Sequence, residues 1–274
     1  MGGSPAAGAG EDTGAAAVSG VAASAGASGR GNMEESMSER AALEAVLLRL
    51  GLELDDSQCE LMLRYLGLLF EKNKVLNLTR IDSPVEALVL HIEDSLAVLP
   101  EFGACEGRFC DIGTGGGVPG IPLAIATGRS GVLLDSVQKK AAAVREFACG
   151  LGISGQVEAV GTRSELYAAE HAGEFGCVVA RAVSSLPVVL ELAAPLLQIG
   201  GRVVAMRAED DDEMLRRGDT AAEMLGMELV SARSFVIGDD EMRYSRSARV
   251  YERVGDLSVK VPRRPGLAAK KPLA

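Results

Sequence analysis

The chain has 274 residues, of which 38 are acidic and 28 basic, so its formal net charge is −10, and 47% of its residues are hydrophobic. This apolar content excludes a wholly disordered or collagen-like chain, because such chains cannot bury a core. The length suits one large domain with a small appendage. The negative charge argues against general nucleic-acid binding, since contacts to phosphate depend on Lys and Arg.

The N-terminal residues 1–37 are rich in Gly, Ala and Ser and are predicted to form a disordered tail. They lack the basic start and leucine-rich core of a signal peptide, and no segment offers the roughly 18 apolar residues of a membrane span. Five scattered cysteines without Cys-x-x-Cys spacing are typical of reduced thiols, and two histidines provide no zinc cluster. We therefore expect a cytoplasmic monomer that binds neither metal nor membrane.

Three helices are predicted in residues 38–100, a segment expected to pack on the domain that follows. The first covers Ala41–Leu50. The second begins at Ser57, which forms a capping box with Glu60. The third begins at Ser83-Pro84, with proline in its first turn, and runs to about Val98.

Strands and helices alternate through residues 101–254, which are predicted to form the main domain. The short apolar or β-branched runs are Arg108–Ile112, Gly131–Asp135, Gln156–Val160, Cys177–Ala180 and Arg202–Met206. The helical stretches between or after them are Pro119–Thr127, Gln138–Gly150, Arg163–Glu170, Pro187–Leu197 and Glu213–Leu225. This alternation predicts an α/β fold with a doubly wound, mostly parallel sheet. The last two runs, Leu229–Ile237 and Ala248–Val254, have no helix between them and predict an antiparallel pair that ends the sheet.

A glycine-rich loop follows the first predicted strand and is the most informative segment. It reads Asp-Ile-Gly-Thr-Gly-Gly-Gly-Val-Pro-Gly from Asp111 to Gly120. Glycines there allow the backbone to approach a ligand closely and to adopt permissive φ values. The loop is expected at the carboxyl ends of the strands, where such sheets bind ligands. Asp135 ends the next strand, about 20 residues on, where an acidic side chain can hold ribose hydroxyls.

Two cofactors fit this pattern. Gly115-x-Gly117-x-x-Gly120 matches the dinucleotide fingerprint, which would indicate an NAD-dependent oxidoreductase. The earlier Gly113 and the acidic Asp111 instead give Asp-x-Gly-x-Gly-x-Gly, which resembles motif I of class I methyltransferases that bind S-adenosylmethionine (SAM). A carboxylate at this place suits the cationic sulfonium and amino group of SAM, whereas it repels a pyrophosphate. The pattern therefore favours SAM.

Several further motifs occur in the order that is found in the RsmG (GidB) family. They are Asn73–Thr79 (NKVLNLT), His91–Leu96 (HIEDSL), Leu134–Lys140 (LDSVQKK), Ala180–Leu186 (ARAVSSL) and Pro262–Gly266 (PRRPG). From about Ala41 to Pro272 the chain thus resembles these bacterial enzymes, which methylate N7 of a guanine in 16S ribosomal RNA. The resemblance implies the Rossmann-like fold of class I SAM-dependent methyltransferases, SAM as cofactor, and 16S rRNA within the small ribosomal subunit as partner.

The loop motif and the resemblance together suggest two sets of site residues. The residues expected to bind the cofactor are Asp111, Gly113, Gly115, Gly117, Val118, Asp135, Ser164, Glu165 and Arg181, with Ser164 and Glu165 flanking the adenine. The residues expected to act on the substrate are Asn77, His91, Asp94 and Arg181. Two departures from the family stand out. Gly116 replaces a proline in the loop, and Met206-Arg207-Ala208 stands where the family has Leu-Lys-Gly.

Guanine N7 carries a lone pair and no proton, so direct in-line displacement needs positioning and no general base. The target base must be single-stranded or flipped to be reached. The residues leave open a SAM-dependent methyltransferase with a non-RNA substrate, and a binding scaffold without turnover. Residues 255–274 hold five basic residues and one acidic one and are predicted to form a basic C-terminal tail, which would steer RNA despite the net charge.

Overall fold

The computed structural model describes residues 1–2, 25–208 and 211–274, and for residues 25–36 it describes the backbone only. The chain divides into two units, Met1–Ser38 and Glu39–Ala274. Most of the predicted N-terminal tail lies outside the described residues. Helix α1, Ala25–Leu50, begins well before the predicted start at Ala41. Residues 33–40 are mostly Met, Glu and Arg, which favour helix.

Helix α2, Asp56–Leu76, has a capping box two residues earlier than the sequence suggested. The carboxylate of Asp55 accepts a hydrogen bond from Gln58 N–H at 2.8 Å, and the Gln58 side chain accepts one from Asp55 N–H at 2.9 Å. The predicted box at Ser57 and Glu60 is therefore wrong. Asp55 and Gln58 form the same reciprocal pair, and a carboxylate is also favoured at the positive end of a helix.

The third predicted helix is interrupted by a π-helical turn. The predicted N-cap is confirmed, since Ser83 precedes α3, Pro84–Ala87, and its hydroxyl accepts from Glu86 N–H at 3.4 Å. The π turn Leu88–Glu93 follows, then α4, Asp94–Leu96, and α5, Leu99–Gly103. A π turn widens the helix by one residue and is frequent at functional sites. Here it carries His91 and ends beside Asp94, both of which are buried.

The strands form one seven-stranded sheet in the order β3-β2-β1-β4-β5-β7-β6. They are β1 Phe109–Ile112, β2 Gly131–Asp135, β3 Val157–Gly161, β4 Phe175–Arg181, β5 Leu197–Arg207, β6 Met227–Gly238 and β7 Arg243–Arg253. Strands β1 to β5 pair in parallel, while β7 runs antiparallel to both β5 and β6. The predicted doubly wound sheet with a terminal antiparallel pair is confirmed.

Helices cover both faces of the sheet. They are α6 Gly120–Thr127, α7 Gln138–Leu151, α8 Ser164–Glu170, α9 Leu186–Ala193, α10 Asp212–Met224 and α11 Leu267–Lys270. Phe109 of β1 belongs to the apolar cluster that includes α2 and α7, whereas its neighbour Cys110 belongs to the cluster under α9. Such burial on both faces is typical of parallel sheets. The strand order reverses between β1 and β4, and this switch point is the expected ligand site.

The C-terminal segment, residues 255–274, packs back on the domain. Its helix α11 includes Ala268, whose side chain is buried. Within the described residues, none of the helices combines the length and the apolar character that crossing a membrane requires.

Candidate functional site

The glycine-rich loop lies between β1 and α6, and hydrogen bonds from its backbone N–H groups hold it in place. The buried Asp111 accepts a hydrogen bond from Gly120 N–H through Oδ2 at 2.9 Å. The N–H groups of Gly113 and Thr114 both donate to Leu134 O at 2.9 Å, which ties the loop to β2. Gly113 has φ +75°, and a Cβ there would lie 2.7 Å from Val183 Cγ2. The loop therefore needs glycine for its conformation and for its close packing.

Helix α2 supports the loop from the other side. Tyr65 is fully buried and its hydroxyl donates to Gly116 O at 2.9 Å. A Cβ on Gly116 would lie 2.8 Å from Leu69 Cδ1. Glycine at this position therefore permits a close approach of α2. Sequence reasoning missed Tyr65, because its only signal is its place on the apolar face of a helix.

We expect Tyr65→Phe to lower the free energy of unfolding by about 1–2 kcal/mol, because it leaves the buried Gly116 carbonyl without its donor. Urea denaturation followed by circular dichroism measures this difference. Tyr244→Phe is the matched control, since Tyr244 is half-buried and its hydroxyl makes a long 3.4 Å contact to Glu86. Equal stability of the two variants would contradict a supporting role for Tyr65.

A cavity of about 220 Å³ opens beside the loop, and we call it the Asp135 cavity. Its lining residues come from the ends of β2 and β3, from α8 and α9, and from the C-terminal segment. They are Gly113, Leu134, Asp135, Ser136, Thr162, Arg163, Ser164, Glu165, Val183, Ser184, Val188, Leu192, Gly266, Ala268 and Ala269. The structure thus brings together four residues that were predicted to bind the cofactor: Gly113, Asp135, Ser164 and Glu165.

Asp135 is 7% exposed and organises the inner side of this cavity. Its Oδ2 accepts from Gly115 N–H at 2.9 Å and its Oδ1 from Val137 N–H at 2.8 Å. Five other predicted cofactor residues, Asp111, Gly115, Gly117, Val118 and Arg181, do not line the Asp135 cavity. The first four belong to the loop that borders it, whereas Arg181 lies in a second cavity.

This second cavity, of about 410 Å³, is called the Asp94 cavity. Its lining residues are Ile81, Leu90, Asp94, Arg181, Ala182, Ser184, Met206, Arg207, Ala208, Phe235, Arg246 and Ser247. Ser184 lines both cavities, so they are neighbours at the carboxyl edge of the sheet.

One buried carboxylate holds two arginines in the Asp94 cavity. Arg181 Nη1 donates to Asp94 Oδ2 at 2.9 Å, and Arg246 Nε donates to Asp94 Oδ1 at 3.1 Å. The exposed fractions of the three side chains are 6% for Asp94, 21% for Arg181 and 18% for Arg246. Arg207 also lines the cavity, so its lining contains three arginines and one carboxylate and favours an electron-rich ligand. Arg246, on β7, was missed, because an arginine in an alternating edge hairpin is usually a solvated residue.

The other two residues predicted to act on the substrate do not line the Asp94 cavity. His91 is buried, and its Nε2 lies 3.1 Å from Thr79 Oγ1. Burial and the nearby Arg181 lower the pKa of His91 to about 4, so its ring is neutral at pH 7. Asn77 is an exposed C-cap of α2 in the left-handed region, with φ 48°.

The carboxyl group of the loop, that of Asp111, has a pKa far from its usual value. Burial raises its pKa to about 7, against the hydrogen bonds and the Arg181 charge that lower it. Among the described residues its Oδ1 has no hydrogen-bond partner. In the same part of the chain, no three His, Cys, Asp or Glu side chains gather as a candidate metal centre.

Proteins of one family are similar to this chain along most of its length. A family model described as rRNA small subunit methyltransferase G matches residues 58–243. Ribosomal RNA small subunit methyltransferase G of Pelotomaculum thermopropionicum is 36% identical over 231 residues, covering 82% of this chain and 94% of that protein. The Deinococcus radiodurans protein of the same name is 38% identical over 217 residues, covering 77% and 83%.

One solved structure, cofactor-bound Rv0187 from MTB, superimposes with a TM-score of 0.52 at 21% identity, covering 70% of this chain and 91% of the other. At this identity the likeness concerns the fold, and it agrees with the doubly wound sheet described above. The family match covers the glycine-rich loop, helix α4 and most of the sheet. The chain belongs to the rRNA small subunit methyltransferase G family.

Proposed function

We propose that the protein transfers the methyl group of SAM to N7 of a guanine in 16S rRNA of the small ribosomal subunit. One observation supports this most directly. The Asp135 cavity, which suits a nucleoside, and the Asp94 cavity, which suits an electron-rich base or phosphate, share Ser184. A donor and an acceptor bound in the two cavities would therefore lie side by side, as group transfer requires.

The residues around the loop fit SAM better than a dinucleotide. SAM supplies an electrophilic methyl group on a sulfonium when it is bound. Asp135 and the loop backbone would hold its adenosine, and the unpartnered Oδ1 of Asp111 suits its ammonium group. A pyrophosphate at the same loop would face Asp111 and Asp135 without a basic side chain among the residues from Asp111 to Gly120.

The Asp94 cavity would orient the base. Guanine presents O6 beside N7 on one edge, and arginine side chains commonly donate to O6. Asp94 holds the guanidinium groups of Arg181 and Arg246, so their remaining N–H groups can serve as donors in a fixed place. His91 is neutral and outside the cavity, which agrees with an attack that requires no proton removal.

Methylation of purified 30S subunits and of free 16S rRNA with labelled SAM tests the proposal. Reduction and aniline cleavage at N7-methylguanine would then locate the modified base. We expect label at one guanine of 16S rRNA. Label on protein or small molecules with none on RNA would support a different substrate class. Binding of SAM without turnover on either RNA would support a scaffold.

The raised pKa of Asp111 predicts a pH-dependent affinity. Below pH 7 the carboxyl is mostly protonated, and above pH 7 it is charged and can pair with the ligand ammonium. The dissociation constant of S-adenosylhomocysteine should therefore fall roughly tenfold from pH 6 to pH 8. Calorimetric titration across this range measures it. Asp111→Asn should bind with little pH dependence, and a variant that kept the full slope would show that another group is responsible.

A further inference from the structure

The C-terminal segment lies against the Asp135 cavity instead of extending into solvent. Gly266, Ala268 and Ala269 are among the lining residues of the cavity. Gly266 N–H donates to Glu165 Oε1 at 2.7 Å, so the segment is joined directly to the residue expected to flank the adenine. This part of the chain is more than 100 residues from Glu165 in sequence and forms the cavity only through the fold.

A bidentate ion pair anchors the start of this segment. Arg263 Nε and Nη2 donate to the two carboxylate oxygens of Glu191 at 2.6 and 2.5 Å. The Glu191 side chain is only 2% exposed, and a buried carboxylate is strongly destabilising without its partner. Arg263 Nη2 also donates to Lys271 O at 2.7 Å, which closes the segment on itself. The guanidinium of Arg263 thus neutralises a buried carboxylate within the fold, whereas the sequence predicted that its charge would steer RNA.

We propose that residues 263–269 form the outer wall of the cofactor site, with Gly266, Ala268 and Ala269 facing the adenosine and Arg263 as the positioning residue. This inference rests on the proposed function, since it takes SAM as the occupant of the Asp135 cavity. Glu165 then both lines the cavity and holds the wall through Gly266 N–H. A wall of small residues leaves room for the adenosine while it removes the bound ring from water.

Binding of S-adenosylhomocysteine and of 5′-methylthioadenosine to the full chain tests the wall. Methylthioadenosine has the adenosine but lacks the amino acid half. Arg263→Gln should raise both dissociation constants by the same factor, about tenfold, because the wall touches the shared half. Arg202→Gln is the matched control. Arg202 also pairs with a glutamate, Glu252, but it lies toward the amino end of the parallel strands and should leave both affinities unchanged.

Two further measurements test the wall even if Arg263→Gln destabilises the fold by leaving the Glu191 carboxylate unpaired. Ala269→Leu, on an exposed position that lines the cavity, should weaken both ligands while the unfolding midpoint stays at the wild-type value. In the wild type, S-adenosylhomocysteine should slow deuterium uptake in residues 264–271. Unchanged affinities in Arg263→Gln and Ala269→Leu, or a loss confined to S-adenosylhomocysteine, would overturn the wall. A wild-type chain that binds neither ligand would overturn the proposed cofactor as well.

Discussion

Asp135→Ala is expected to raise the dissociation constant of S-adenosylhomocysteine about 100-fold, which corresponds to about 2.7 kcal/mol of binding free energy. The carboxylate has two tasks. It lines the Asp135 cavity, and it accepts the N–H groups of Gly115 and Val137. Hydrogen bonds to a charged group are worth about 1.5–3 kcal/mol each, so the loss of a ligand contact together with loop order accounts for the effect.

Isothermal titration of the full chain measures this change. Glu158→Ala is the control, because Glu158 lies on the neighbouring strand β3 as an exposed acid outside the cavity. It should bind S-adenosylhomocysteine like the wild type. An unchanged affinity in Asp135→Ala would show that this residue does not bind the cofactor and that the nucleoside binds in another cavity.

The second large effect is expected at Asp94. Asp94→Ala should lower the rate of RNA methylation at least about 100-fold, because Arg181 and Arg246 both lose the carboxylate that holds them. Affinity for S-adenosylhomocysteine should stay within about threefold of the wild type, since Asp94 does not line the Asp135 cavity. A large fall in the methylation rate with a nearly unchanged cofactor affinity is expected of a residue that positions the RNA substrate.

Single-turnover methylation of 30S subunits, with cofactor binding measured in parallel, provides both quantities. Glu252→Ala is the matched control, because Glu252 also holds an arginine, Arg202, away from both cavities. Its methylation rate should remain that of the wild type. A fall in cofactor affinity equal to the fall in rate would place Asp94 on the cofactor side.

Much of the fold could be predicted from the sequence, because the signals are local. The run Gly131–Asp135 is a strand with the predicted limits, since a short apolar run that begins at a glycine is recognised from neighbouring residues alone. Positive φ at Gly113 and Gly117 follows from the same local requirement. Element limits were less accurate. The capping box begins at Asp55 and not at the predicted Ser57. Both residue types are good N-caps, and only the folded backbone selects between them.

The order of the strands explains which site residues could be anticipated. Asp111 and Asp135 lie at or next to the carboxyl ends of two neighbouring parallel strands, so their proximity follows once the alternation is recognised. His91 and Asp94 belong to one sequence motif, yet Asp94 lines the Asp94 cavity and His91 does not. The π turn buries His91 against Thr79 and directs Asp94 to the arginines. No periodicity in the sequence marks a single π turn.

By itself, therefore, the sequence determined the sheet class, the glycine-rich loop and the family, because each depends on residues close together in the chain. Only the tertiary structure decided which distant groups complete the cavities. The Tyr65–Gly116, Asp94–Arg246 and Glu165–Gly266 contacts span 51, 152 and 101 residues. Such pairs form because the strand order and the returning C-terminal segment bring their elements together, and no local propensity encodes that return.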